Sequence, residues 1–151
     1  MQQEFDWLKT TRQNVLNILK DFSLAQLNEI PAGYNNNLAW HLGHLVVTQQ
    51  LLCYKLSGNS STIQDVIIDK YRKGTTPKEN VSQEEIDWIK EKLLTTVDEM
   101  QVDYDNNIFD KFKEYPTSYN ITLRSIEDSI RFNTLHEALH FGNIISMRKL
   151  V

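Results

Sequence analysis

Apolar residues that recur at helical spacing over long stretches leave this chain few options other than packed helices. Phe5, Leu8, Val15, Leu19 and Phe22 follow one another at intervals of three, four and seven, which places them on one helix face. Ser23 breaks the pattern, and with Gln26 three residues on it forms a capping-box signature for a short following turn. Residues 31–37 read as the first loop, ending in an asparagine suited to cap a second helix over about residues 38–56, stopped by Ser57-Gly58. The stretch 59–81 is the least regular, with Gly74 and Pro77 as breakers and Val66-Ile67-Ile68 as one helical turn on the core. Ser82 and Glu85 form a capping box ahead of Ile86, Ile89, Leu93, Val97 and Met100, so a third helix reaches about Val102. Connecting chain then occupies 103–121, with a helical turn at 108–112. Thr122 is expected to cap the last helix, stapled by Ile121 and Ile126 and running from Leu123 toward Val151. Five glycines and three prolines in 151 residues supply little material for tight turns. The expectation is an all-α four-helix bundle forming one domain, residues 1–151.

Charge and hydropathy narrow the function. Lys and Arg number 16 against 20 Asp and Glu, a formal net charge of −4. Nucleic-acid capture draws on clustered positive charge. The one basic run, Lys70-Tyr71-Arg72-Lys73, reads as a solvated loop on an acidic chain, so no nucleic-acid partner is expected. No apolar run approaches the ~18–20 residues of a membrane helix. The opening Met1-Gln2-Gln3-Glu4-Phe5-Asp6-Trp7 is too polar and acidic for a signal peptide, which leads to a cytoplasmic protein without membrane contact. The single cysteine, Cys53, lies about 180° from His44 on a helical wheel and reads as a small packed residue. Trp7, Trp40 and Trp88 sit at helical spacing and read as core or pocket walls.

The four histidines fall in two clusters, His41 with His44 and His136 with His140, separated by more than ninety histidine-free residues. His136 and His140 lie about 40° apart on one helix face, where two imidazoles can share a transition metal. Their stripe holds Asn133 and Met147, flanked by Phe132 and Ile144, so the pair points to the interior or its rim. A metal needs a further ligand, and the other cluster supplies one: His44 shares a face with Trp40, Val47 and Leu51, while His41 sits about 60° round. Three imidazoles from two helices leave a coordination position open, as a catalytic metal requires. His136-Glu137-Ala138-Leu139-His140 also spells a zinc-protease pattern with Glu137 as general base. That reading is set aside. Gly142 follows His140 by two residues rather than three, no later histidine exists, and no confident strand is present to align a peptide. Glu137 stays a weak catalytic candidate, as a ligand-orienting or proton-moving group or one that faces a neighbouring helix.

Leu38-Ala39-Trp40-His41-Leu42-Gly43-His44-Leu45, followed near the C-terminus by His136-Glu137-Ala138-Leu139-His140-Phe141-Gly142-Asn143-Ile144, resembles the DinB/YfiT-like superfamily over nearly the whole chain. Phe141 departs from the pattern, since many relatives carry Arg or His there, and that position is expected to border the metal pocket. The resemblance implies a four-helix bundle with His44, His136 and His140 as metal ligands and His41 as their neighbour. It implies a divalent metal, zinc or nickel, a small-molecule substrate, and a homodimer. Among activities it implies a thiol-dependent S-transferase using a low-molecular-weight thiol. A metal-dependent hydrolase with a metal-bound water as nucleophile, or a non-catalytic metal-binding or stress-response module, are the alternatives.

Overall fold

The computed structural model describes residues 1–151. In chain order the elements are α1 (Gln2–Ile18), a short α2 (Leu24–Asn28), α3 (Leu38–Gln49), a short α4 (Asp65–Tyr71), α5 (Gln83–Asp105), the two-residue strands β1 (Tyr115–Pro116) and β2 (Thr122–Leu123), and α6 (Ile126–Met147). The fold is all-α apart from that one antiparallel pairing. α1 and α3 each pack on both α5 and α6, so the four long helices stand in a square with α1 and α3 at opposite corners.

Side-chain caps start most of these helices. At Ser23 the capping box is complete: Oγ accepts from Gln26 N at 3.3 Å and Gln26 Oε1 accepts from Ser23 N at 3.0 Å. Asn37 caps α3 through Trp40 N at 2.8 Å and donates to the Asn28 carbonyl at 2.9 Å, which fixes where α3 begins relative to α2. Ser82 caps α5 through Glu85 N at 3.2 Å, but the box is only half made. The Glu85 carboxylate instead accepts from Lys70 Nζ at 2.7 Å and from the Tyr71 hydroxyl, tying α4 to α5.

Two expectations about the connections fail. The cap of α6 is Ser125, whose Oγ accepts from Asp128 N, and not Thr122. Thr117 accounts for this: its backbone N and its hydroxyl both donate to the Ile121 carbonyl, at 2.9 and 2.8 Å, and close a tight hairpin with Asn120 at φ 57°. Thr122 is thereby held in β2, and Ile121 is exposed rather than stapled. Residues 108–112 form no helical turn; Phe109 anchors that stretch in the core, and Lys113 N donates to the Leu56 carbonyl at 2.7 Å. Trp7 is 51% exposed, against its expected place in the core.

The interior is divided. One apolar cluster takes Val15 of α1 and Leu19 just past its end, most of α3, Ile86 to Leu93 of α5 and Ile144 and Met147 of α6. A second takes Phe5, Leu8, Cys53, Val97, Met100 and Ile130. Between the two, each long helical segment contributes one buried polar residue: Arg12, Gln49, Thr96 and Glu137. Arg12 Nη2 and Nε donate to the Glu137 carboxylate at 2.7 and 3.0 Å, and Nη1 donates to Thr96 Oγ1 and the Leu93 carbonyl, both at 3.0 Å. Gln49 completes the layer through the Thr96 carbonyl at 2.7 Å. This polar waist aligns all four helices at one height. Just past it, α3 widens into a π-helical turn, Gln50–Lys55, and Leu51, Leu52 and Lys55 of that turn come with the following Leu56 to one cavity wall.

Candidate metal centre

His44 projects from α3 and His136 and His140 from α6, two helices that share an edge of the square. The ring centroids are 5.2 Å apart for His44 and His136, 4.8 Å for His44 and His140, and 4.4 Å for His136 and His140. One ligand nitrogen from each lies within 4.8 Å of the others, and all three side chains are buried. Tetrahedral zinc with ~2.0–2.1 Å bonds needs its nitrogens about 3.3 Å apart.

Two of the three rings have a second nitrogen engaged from behind, and for His44 this settles which lone pair is free. His44 Nδ1 donates to the Tyr71 carbonyl at 2.7 Å, leaving Nε2 as acceptor, and the Thr48 hydroxyl sits 3.3 Å from it. Such a carbonyl behind a ligating ring fixes both its tautomer and its orientation. Gly43 makes that contact possible. A Cβ there would lie 2.6 Å from the Tyr71 ring, so only glycine lets α4 seat its carbonyl on the neighbouring histidine. His140 Nδ1 lies 2.8 Å from His41 Nδ1, and in the tautomer in which His140 is the donor its Nε2 carries the free lone pair. Trp40 stacks on His44 at 4.4 Å and 13°. His136 Nδ1 is buried without any hydrogen-bond partner, the kind of orphaned nitrogen that a missing ligand explains.

Burial is the leading cause that pushes all four imidazoles below their ordinary range. His41 falls to about 4, and His136 and His140, further lowered by neighbouring imidazoles, to about 3 and about 2. His44 is also lowered, with the Tyr71 hydrogen bond opposing burial and the Lys73 charge adding to it. The rings are therefore neutral near pH 7, the form that binds a metal.

A cavity of about 780 Å³ opens over these nitrogens. His41, His44, His136 and His140 line it together with Trp40 and Phe132. No aspartate, glutamate or cysteine does. Glu137, next to His136 in sequence, is fully buried on the far side of α6 against Arg12. Burial raises its carboxyl above the ordinary value, and the Arg12 guanidinium opposes that rise. Cys53 is buried in the second apolar cluster, accepts from Asn133 Nδ2 at 3.4 Å, and has its thiol pushed up to about 12 by burial. It is the small packed residue that its wheel position suggests. Phe141 packs against the larger core and does not line the cavity, in contrast to the expectation; Leu139 and Asn143 of the same helix do.

Sequence reasoning passed over Arg12, Tyr71 and Thr48. Arg12 had a legible signal, since it falls four residues after Leu8 and three before Val15, in the middle of the apolar face of α1. Tyr71 acts through a backbone carbonyl, which no residue type announces.

The sequence model of the DinB superfamily matches residues 8–144, a span that runs from within the first helix to within the last and includes both histidine clusters. The chain belongs to the DinB superfamily. Among curated proteins none matches this sequence. With a DinB-type fold and a buried group of three histidines, the chain has the features of a metal-binding member of this superfamily. No helix is long and apolar enough to cross a membrane.

Proposed function

We propose that His44, His136 and His140 bind one divalent metal, zinc or nickel, and that the chain, acting as one unit over residues 1–151, is a metal-dependent S-transferase that uses a low-molecular-weight thiol. The observation that carries the metal reading is the trio of neutral imidazoles, two with their second nitrogen already engaged, under a cavity with no fourth protein ligand. A closed structural site has four protein ligands, and an open one leaves room for substrate. The residues fit the group: the donors are nitrogen only, and His136 Nδ1 has no other partner.

Bound there, the metal would supply a positive charge that holds a coordinated thiol as its thiolate at neutral pH. The protein does the rest. His41 and the Tyr71 carbonyl hold the rings in place, and Trp40, Leu52 and Phe132 form apolar wall that keeps water from the reacting sulfur. The absence of a carboxylate from the cavity supports a transferase over a hydrolase. Hydrolysis calls for a proton acceptor beside the attacking water, and Glu137 is committed to Arg12. We also propose a cytoplasmic homodimer; the exposed Leu135 and Leu139, on a stretch of α6 that carries no exposed charge between Arg131 and Arg148, support the pairing of two copies.

Metal analysis of the wild type beside His44→Ala, His136→Ala and His140→Ala tests the ligand set. The wild type should carry one equivalent and each variant should lose most of it. Three variants that keep full stoichiometry sink the assignment. Turnover of electrophiles only when a thiol is supplied would then support the transferase, and thiol-independent turnover would refute it.

A further inference from the structure

The basic run of residues 70–73 spans the end of α4 and the turn that follows, and its cations have different fates. Lys70 pairs with Glu85 at 2.7 Å and Arg72 with Asp69 at 3.3 Å. Lys73 has no carboxylate partner and lines the cavity over the histidines. Lys55, the other lysine on that wall, already has Asp65 at 3.6 Å. On a chain of net charge −4, the histidine cavity is thus walled without a single acidic residue and with one unneutralised ammonium.

The Lys73 side chain is exposed at the cavity mouth, and the backbone turn that carries it is fixed. The turn that carries it is closed by Thr75, whose N donates to the Arg72 carbonyl at 3.2 Å, with Gly74 at φ 89° providing the left-handed step. Thr75 Oγ1 in turn accepts from Trp40 Nε1 at 2.9 Å, and Trp40 stacks directly on His44. One hydrogen bond and one ring stack therefore connect the lysine turn to the imidazole cluster. Between the two ends, Leu51, Leu52, Phe132 and Leu139 offer apolar surface.

We propose that Lys73 is the anion-recognition residue of this cavity, and that the ligand is a small carboxylate whose apolar body spans from Lys73 to the three histidines. One lysine without a carboxylate partner, and no arginine on the cavity wall, matches one negative charge and not the bidentate geometry of a phosphate. The inference deepens the proposed function and rests on it, because the far end of the ligand is placed at the histidine site. The carboxylate belongs either to the thiol or to its reaction partner, and both have the same recognition chemistry.

The test uses zinc-loaded protein and ω-mercaptocarboxylates of two to six carbons, each beside its uncharged amide, with hexanoate as a thiol-free carboxylate. Binding is read by calorimetry in wild type, Lys73→Gln and Lys73→Arg. At the best chain length the acid should bind about three- to tenfold more tightly than the amide, as for a partly exposed charge pair. Lys73→Gln should reduce that ratio toward one and Lys73→Arg should keep most of it, while all three proteins bind one equivalent of zinc. Lys73-dependent binding of hexanoate assigns the carboxylate to the reaction partner; dependence confined to the mercapto acids assigns it to the thiol. Equal affinity for acid and amide in the wild type, or a preference that survives Lys73→Gln, overturns the inference while zinc binding leaves the metal site standing. Failure of zinc to bind the wild type at all is a failure of the metal reading, seen before any anion is added.

Discussion

Replacing Arg12 with methionine tests the polar waist, which joins the fold to the site. Its guanidinium is fully buried and makes hydrogen bonds to the Glu137 carboxylate, Thr96 Oγ1 and the carbonyls of Leu93 and Leu45. Arg12→Met keeps the aliphatic length but strands a carboxylate that is itself fully buried. Removing one partner of a buried pair costs about 3–5 kcal/mol, because the remaining charge has lost its compensation. Native domains are stable by only about 5–15 kcal/mol, so this is a large share. At about 2–4 °C per kcal/mol for a chain of this length, the melting temperature should drop by roughly 6–20 °C. Urea unfolding followed by far-ultraviolet circular dichroism, at pH 7 with chelator present, gives the free energy. The double variant Arg12→Met with Glu137→Leu should recover most of the loss, since an apolar pair of similar volume replaces a buried ion pair at little cost. A loss below about 1 kcal/mol for Arg12→Met, or a double variant no better than the sum of the singles, would refute the reasoning.

Other expectations follow from the same contacts. Metal-free protein should lose stability as pH falls below 6.5: the unfolded chain protonates its histidines there, whereas His41, His136 and His140 stay neutral in the fold until about 4, 3 and 2. Folded values below the unfolded one mean stability that is fully present above pH 6.5 and falls by about 1.4 kcal/mol per pH unit for each neutral histidine; urea midpoints that stay flat from pH 7 to 5 would contradict this. His41→Phe should weaken zinc binding about 10–100-fold in a chelator competition without altering the helical spectrum, because it removes the hydrogen bond that orients His140. Gly43→Ala should destabilise by about 1–3 kcal/mol through the clash with Tyr71 and should also lower zinc affinity, since the Tyr71 carbonyl holds His44. Cys53, buried with its thiol near 12, should resist a thiol reagent at pH 8 in the native protein and react once urea is added.

How much was legible in the chain differs from element to element. The 3.6-residue repeat marks helices because each must bury one stripe, and α1, α3, α5 and α6 lie where that repeat runs. His136 and His140 were legible as a pair for the same reason: a spacing of four is a contact within one helix. Asn37 and Ser82 were legible as caps because a cap bonds to backbone only two or three residues away. The start of α6 was not, because Thr117, outside the helix, competes for Thr122 through the Ile121 carbonyl. Arg12 could have been noticed as a charge on an apolar face, but its partner Glu137 is 125 positions away.

The sequence by itself determined the helices, their buried faces and the presence of histidines on two of those faces, since these depend on neighbours within a turn or two. Tertiary structure decided which nitrogens are free. The Tyr71 carbonyl behind His44 and His41 behind His140 are contacts across 27 and 99 positions, made only when α4 and α6 close on α3. It also decided the fate of three charges. Glu137 turned from the cavity to Arg12, Lys70 found Glu85, and Lys73 was left facing the histidines. A side chain's residue type states what it can bind, but its partner depends on which surfaces the packing of the helices brings within hydrogen-bonding distance.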